Sequence, residues 1–153
     1  MRRTLPGAVL ALVLAAPAIH ASDRVAVYAK IDRVVFEPGA ETPERVQVWG
    51  IFSVADRRNN NPNDYLPAAR GYLYFALPAN AELARREWKD LQSVAGKGDV
   101  VAFGSRWEGT PRVRSSDEKP QSPEPYALNT GVVNVRGRGD YAPVRALTAS
   151  APR

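Results

Sequence analysis

Alternation of apolar and polar residues with a period of two is the feature that most constrains how this chain can fold. One stretch instead repeats its apolar residues at helical spacing, over positions 80–96. Strict alternation predicts half-buried strands, and a period of 3.6 residues predicts an amphipathic helix. The strand-like stretches are 24–36, 45–55, 70–77, 99–105 and 132–135. The predicted order is therefore three strands, one helix and two strands.

The first strand-like stretch changes phase at Asp32 and Arg33. Val25, Val27 and Ile31 share one face, and the alternation then resumes one residue out of step. Such a shift predicts a β-bulge or a sharp bend. Five strands with a bent first strand and a helix between the third and fourth form the order of an OB-fold barrel. We therefore predict a mainly β fold, a small five-stranded OB-like barrel; the alternative is a small β-sandwich with one packed helix.

The segment "SVAGKGDVVAFGS" places two glycines around a lysine, as some phosphate-binding loops do. A phosphate loop needs its glycines before a helix, whose N-terminal N–H groups then face the phosphate. Here Gly96 and Gly98 follow the predicted helix, and Asn80 is a good N-cap at its other end. The segment is predicted to end a helix, and no nucleotide or other cofactor is predicted.

The N-terminus has the layout of a secretory signal peptide. A basic start at Arg2 and Arg3 precedes an apolar run of small residues and leucine, and small residues then offer cleavage points after Ala18 or Ala21. The run is shorter than the roughly 20 residues of a membrane-spanning helix. We predict a signal peptide over residues 1–21, no transmembrane anchor after cleavage, and a periplasmic or extracellular protein.

Cysteine and histidine are missing from the predicted mature chain, because the sequence has no cysteine and its one histidine is His20. This composition excludes disulfides, thiolate nucleophiles, Ser-His-Asp triads and the usual zinc sites. It leaves carboxylates, lysine and tyrosine for acid–base work. The sequence therefore favours a protein that is not an enzyme, with a carboxylate-dependent hydrolase of envelope polymers as the alternative.

The domain prediction is a single domain over residues 22–147, with a flexible tail at 148–153. Residues 106–127 are rich in proline, serine and charge, and are predicted to form a mobile excursion. The Asn- and Asp-rich loop at 56–69 could supply oxygen ligands to calcium, but it lacks EF-hand spacing. Turns commonly use the same residues, so no metal site is predicted.

The predicted ligand-binding surface is the outer face of strands two and three, where OB folds bind their ligands. Exposed aromatic residues with a polar rim mark a contact site. The predicted site residues are Trp49, Tyr72 and Tyr74, with Arg45 and Arg70 around them. In the alternative, the 106–127 excursion or the C-terminal segment covers this face, with Tyr126 or Tyr141 packed over it.

The sequence thus predicts an exported, non-catalytic binding or accessory module that recognises its ligand through an aromatic strand face. Its partner would be a protein or an anionic or glycan envelope polymer. The formal net charge of +5 permits an anionic partner without requiring one, and nucleic acid is not expected in that compartment. A structural subunit of an envelope complex, its aromatic face covered by another chain, is a further alternative.

Overall fold

A computed structural model describes residues 25–36, 44–56, 58, 61, 63–104, 110–119, 126–127, 132–135 and 141–149. The elements in chain order are β1 (Val25–Phe36), β2 (Arg45–Val54), β3 (Ala69–Ala76), α1 (Ala81–Val94), β4 (Val100–Gly104), β5 (Tyr126–Ala127), β6 (Val132–Asn134) and α2 (Ala142–Ala149). The predicted signal peptide, residues 1–21, lies outside the described residues.

The strands form one mixed sheet in the order β5-β3-β2-β1-β4-β6. Its four central strands, β3, β2, β1 and β4, are antiparallel to one another. The short β5 runs parallel to β3, and the short β6 runs antiparallel to β4. The fold is mainly β, as predicted, and its helix α1 lies between the third and fourth strands along the chain.

The predicted closed barrel is not confirmed. Across the described ranges, β5 pairs only with β3 and β6 only with β4, so no ladder joins the two edges of the sheet. The predicted fifth strand, 132–135, is present as β6, whereas the short β5 on the opposite edge of the sheet was not predicted. Between them the structure shows a four-stranded antiparallel open sheet with two helices.

The β-bulge predicted in β1 is confirmed. Ile31 pairs with Gly50 and Arg33 with Trp49, which leaves Asp32 as an extra residue in the ladder. Because successive strand residues point to opposite faces, one extra residue exchanges the faces of those that follow. Ile31 therefore lies in the core, and Arg33 lies exposed beside Trp49.

The inner face of the sheet carries the main core, covered by α1 through Ala84, Trp88 and Leu91. Phe75 on β3 and Phe103 on β4 stack with ring centroids 5.2 Å apart. Two strands separate β3 from β4, so these rings would be about 14 Å apart in a flat sheet. The sheet is therefore strongly curled around its inner core.

Helix α1 begins and ends close to the predicted positions. The Asn80 side chain accepts hydrogen bonds from the backbone N–H groups of Glu82 and Leu83, each at 3.0 Å. Gly96 has a positive φ of 72° just beyond the helix, which suits a residue without a Cβ. The segment 96–98 thus ends a helix, as the sequence predicted.

Helix α2 was not predicted, and it covers part of the outer face of the sheet. Val144 and Leu147 are buried in a second apolar cluster with residues of β1, β2 and β4. The predicted boundary between domain and tail, after residue 147, falls inside this helix. No helix among the described residues is long and apolar enough to cross a membrane.

Residues 110–119, here called the covering segment, run along the edge of β3 and reach over the Tyr72 side chain. Arg114 and Tyr72 exchange two backbone hydrogen bonds of 2.9 Å in an isolated antiparallel bridge. This part of the predicted mobile excursion is therefore anchored to β3, because its backbone supplies partners to the strand. Residues 105–109 and 120–125 of that region lie outside the described residues.

Candidate functional site

A pocket of about 420 Å³ opens beside the bulge, where β1, β2 and β3 meet the covering segment. Two arginines, a tryptophan, a carboxylate and two serines surround it, together with two glycines. Its lining residues are Asp32, Arg33, Trp49, Gly50, Arg70, Gly71, Ser115 and Ser116. The pocket therefore combines hydrogen-bond donors and acceptors with one aromatic wall.

The aromatic wall is a row of three cross-strand neighbours. Arg33 of β1 and Tyr72 of β3 both lie opposite Trp49 of β2 in the ladders. The Arg33 guanidinium carbon lies 4.7 Å from the centroid of the Trp49 ring, and the Tyr72 and Trp49 centroids are 4.8 Å apart. Trp49 is thus flanked on both sides, so it forms a fixed wall and not an open stacking platform.

Trp49 is oriented further by its own strand. Its indole Nε1–H donates to the side-chain oxygen of Gln47 at 3.3 Å, and the tryptophan is only half-buried. The attraction between a guanidinium and an indole face in turn restrains Arg33. Contacts within the protein therefore restrain the orientation of this row.

Asp32 and Arg70 form an ion pair at the rim of the pocket. Arg70 Nη1 donates to Asp32 Oδ2 at 2.7 Å, and each side chain is 54% exposed. An ion pair this open to water contributes little to stability. Its groups keep donor and acceptor positions that a ligand can use.

The covering segment forms the wall next to β3. Tyr72 is 1% exposed, and its hydroxyl donates to the backbone oxygen of Glu118 at 2.5 Å. The Glu118 carboxylate lies 2.8 Å from Arg112 and 3.6 Å from Arg114. Burial raises the pKa of Tyr72, so its hydroxyl stays protonated and remains a donor.

Two glycines allow the close backbone contacts behind the pocket. Gly50 and Gly71 are cross-strand partners. A Cβ on Gly50 would lie 2.0 Å from the carbonyl oxygen of Lys30, and one on Gly71 would lie 1.8 Å from that of Arg114. Any side chain at Gly71 would therefore push the covering segment away from β3.

The structure brings together only part of the predicted site. Trp49 and Arg70 line the pocket, while Tyr72 is buried under the covering segment. Tyr74 is half-buried opposite Gln47, and Arg45 is exposed farther along, opposite Ala76. The predicted alternative, coverage by the excursion, is what residues 110–119 do at Tyr72. The Tyr141 ring instead lies 6.4 Å from that of Tyr28, beside α2, and the Tyr126 side chain is outside the described residues.

Besides the two glycines, four lining residues were not predicted as site residues from the sequence: Asp32, Arg33, Ser115 and Ser116. The phase shift in β1 could have identified the first two, because it moves Arg33 to the face of Trp49. The serines carried no such signal, since their position depends on where the covering segment meets β3.

The Asn- and Asp-rich loop holds an ion pair. Arg58 donates to both carboxylate oxygens of Asp56, at 2.9 and 3.0 Å, and this lowers the pKa of Asp56. In the described part of the chain, no group of three or more acidic, histidine or cysteine residues could hold a metal ion.

One carboxylate outside the pocket is buried on the inner side of α1. Glu87 is 2% exposed and its Oε1 lies 3.6 Å from Arg86, while its Oε2 has no hydrogen-bond partner among the residues that the structure describes. Burial raises the pKa of Glu87, because the charged form loses its hydration.

The chain matches no protein-family model, no curated protein and no solved structure. The functional interpretation therefore depends on the geometry of the pocket.

Proposed function

We propose that this protein is an exported, non-catalytic binding module that recognises an envelope polymer through the pocket beside the β1 bulge. The observation that carries the proposal is the concave site of about 420 Å³ with Arg33 held over Trp49 at its wall. Pre-oriented polar groups around one aromatic wall are typical of ligand sites.

The volume supports a small recognised unit. Pockets for small ligands enclose about 300–1,000 Å³, whereas protein partners bury about 800 Å² of largely flat surface on each side. One or two units of a polymer fit such a pocket better than the surface of a folded protein does. We therefore favour the polymer over the protein partner.

The carboxylate chemistry supports binding over hydrolysis. Glycosidases use a pair of carboxyl groups on either side of the scissile bond. In this pocket the carboxylate of Asp32 is held 2.7 Å from Arg70, so its nearest partner is a cation and not a second carboxyl group. The buried Glu87 belongs to α1 and is absent from the described lining of the pocket.

We also propose that the curled sheet approaches an OB-like barrel. Strands β5 and β6 pair with opposite edges of the four-stranded sheet, yet only residues 128–131 separate them. From 127 to 132 the chain can reach at most about 18 Å. In a flat six-stranded sheet the two edges would be about 24 Å apart. Hydrogen exchange of the backbone amides of β3 and β4 tests this. If the amides on their outer edges exchange as fast as those of unpaired strands, closure is contradicted.

Export is the remaining part of the proposal, and it depends on the N-terminal pattern over residues 1–21. Cleavage there would release residues 22–153 into a periplasm or the medium. Mass spectrometry of the N-terminus of the protein recovered from its producing cells tests this step.

The binding proposal is tested by sedimentation of the purified mature chain with isolated cell-envelope polysaccharide and peptidoglycan. Trp49→Ala should reduce the bound fraction at least about tenfold, because it removes the wall that holds Arg33. The matched control is Tyr141→Ala, which changes an exposed aromatic residue beside α2.

Equal sedimentation of the Trp49 variant and the native protein would place binding elsewhere. If the native protein binds neither material, the proposal fails. Release of soluble fragments would then support the carboxylate hydrolase, and recovery in a stable complex with another envelope protein would support the structural subunit.

A further inference from the structure

We propose that the pocket recognises an anionic sugar unit, with Arg33 binding the carboxylate or phosphate and the Asp32–Arg70 pair binding ring hydroxyls. This inference rests on the proposed function and specifies the ligand of the same site. It follows from how the two arginines of the pocket are held.

Arg33 is a cation fixed in place by an aromatic ring. Its guanidinium lies over Trp49, and it makes no hydrogen bond or ion pair with any described residue. A guanidinium presents five N–H donors in a planar fork that matches carboxylate and phosphate oxygens. The indole lies on one side of this guanidinium, and the N–H donors that point away from the ring are available for an anion.

Arg70 is held differently, since one of its donors already binds Asp32. The pair therefore presents guanidinium N–H donors beside a carboxylate that accepts hydrogen bonds. A sugar hydroxyl both donates and accepts, so it can bridge the two groups. An anionic group would be repelled by Asp32 and is therefore directed to Arg33.

The balance of charge around the pocket favours the same ligand. Its described lining contains two arginines and one carboxylate, a net charge of one positive unit, with the hydroxyl of Ser116 nearby. Ser115 is committed to its own segment, because its hydroxyl contacts Asp117 and Glu118. A singly charged sugar complements this lining, whereas a neutral sugar leaves Arg33 without an anionic partner.

The test is an NMR titration of the mature chain with glucuronate, glucose 6-phosphate and glucose, three probes built on one ring. The indole Nε1–H of Trp49 and the Nε–H of Arg33 report on the pocket directly. The two anionic sugars should bind at least about tenfold more tightly than glucose, the range of a hydrogen bond to a charged group. Glucuronate and glucose 6-phosphate compared with each other show whether the anion is a carboxylate or a phosphate.

Arg33→Gln should abolish the preference for the anionic sugars, and Arg33→Lys should retain only part of it, because lysine lacks the planar fork. Arg85→Gln, which removes an exposed arginine from α1, is the matched control and should behave as the native chain. Acetate and inorganic phosphate are titrated alongside. If acetate or inorganic phosphate binds as tightly as the anionic sugars, the sugar ring contributes nothing and the sugar assignment is overturned.

Equal binding of all three sugars, an unchanged preference in Arg33→Gln, or no shift with any probe would overturn the inference. The sedimentation experiment separates these outcomes from failure of the proposed function. Polymer binding that still depends on Trp49 would leave that function standing with a different recognised unit.

Discussion

The outer face of the sheet is covered in two different ways. Over β1, β2 and β4, helix α2 places Val144 and Leu147 on apolar residues. Over β3, the covering segment uses a backbone bridge at Arg114 and a carbonyl that accepts from Tyr72. The first covering relies on apolar contacts, which have no preferred direction, while the second depends on individual hydrogen bonds.

The difference bears on the charge that each covering leaves exposed beside it. A pocket of about 490 Å³ lies next to α2, and its described lining contains two carboxylates, Asp56 and Asp64, and no arginine or lysine. The pocket beside the bulge has Arg33 and Arg70 in its lining. The polar covering therefore leaves cationic groups exposed, which is why the proposed ligand site lies there, while apolar packing of α2 contributes stability.

The largest effect is expected for the helical covering. Leu147→Ala should lower the free energy of unfolding by about 2–5 kcal/mol, because Leu147 is fully buried and its truncation leaves a cavity. Urea denaturation measures the loss. Arg145→Ala, an exposed change on the same helix, should stay within about 0.5 kcal/mol. Equal, small losses would mean that α2 does not cover the sheet in solution.

Gly71→Ala tests the polar covering. The new Cβ would overlap the Arg114 carbonyl, so we expect a loss of about 1–3 kcal/mol and faster tryptic cleavage after Arg112 and Arg114. Gly98→Ala is the control, because a Cβ there meets no described atom within 4 Å and only its positive φ opposes it. If both variants are cleaved as slowly as the native protein, the close approach of the covering segment to β3 is wrong.

Glu87→Gln examines the polar exception in the core under α1. The pKa of Glu87 is higher in the folded protein than the value of 4.5 in the unfolded chain. The contribution of this carboxyl to stability is therefore fully present below about pH 4.5 and is lost as the pH rises through the folded pKa. The Glu87→Gln variant should therefore be more stable than the native chain at pH 7, on the order of 1 kcal/mol, and the difference should shrink toward pH 4.

Glu82→Gln, at an exposed position of the same helix, is the control for the pH series. Thermal denaturation at several pH values measures both variants. A Glu87→Gln variant that follows the pH profile of the native chain would show that this carboxyl is hydrated in solution.

Tyr72→Phe removes a single hydrogen bond from the polar covering. The expected loss is about 0.5–1.5 kcal/mol, because the Glu118 carbonyl loses its donor while the ring stays packed. Tyr74→Phe, on the same strand and half-buried, should change stability less. Losses of the same size would indicate that the Glu118 contact contributes nothing specific.

Asp32→Asn should have the smallest effect on stability, about 0–1 kcal/mol, because the pair it forms with Arg70 is exposed on both sides. Urea denaturation at low and high salt measures it, and the difference should vanish at high salt. A loss well above this range would show that the ion pair holds the rim of the pocket together.

The periodic elements could be predicted from the sequence with bounds accurate to one or two residues. The bulge in β1 and both ends of α1 followed from local rules at Asp32, Asn80 and Gly96. The buried position of Glu87 was also readable, since it lies three residues after Ala84 and four before Leu91. Charged residues are rarely expected in a core, although helical spacing assigns this position to it.

Helix α2 and the covering segment could not be predicted in the same way. A helix of eight residues is too short to be stable on its own, so packing of Val144 and Leu147 determines it. The covering segment has no periodicity, and its place depends on Gly71 allowing a carbonyl close to β3. The exposure of Tyr72 depended on this segment, and so the sequence left open whether the aromatic face is exposed or covered.

The bulge at Asp32 lets β1 carry a core residue and a pocket residue only two positions apart. In a strand without the extra residue, Ile31 and Arg33 would share a face, because residues i and i+2 do so. Asp32 also supplies the carboxylate at the rim of the pocket. Deleting Asp32 would therefore leave Arg33 opposite Trp49 in a regular ladder and would remove only that carboxylate. A single-codon deletion would thus separate the aromatic wall of the pocket from its ion pair.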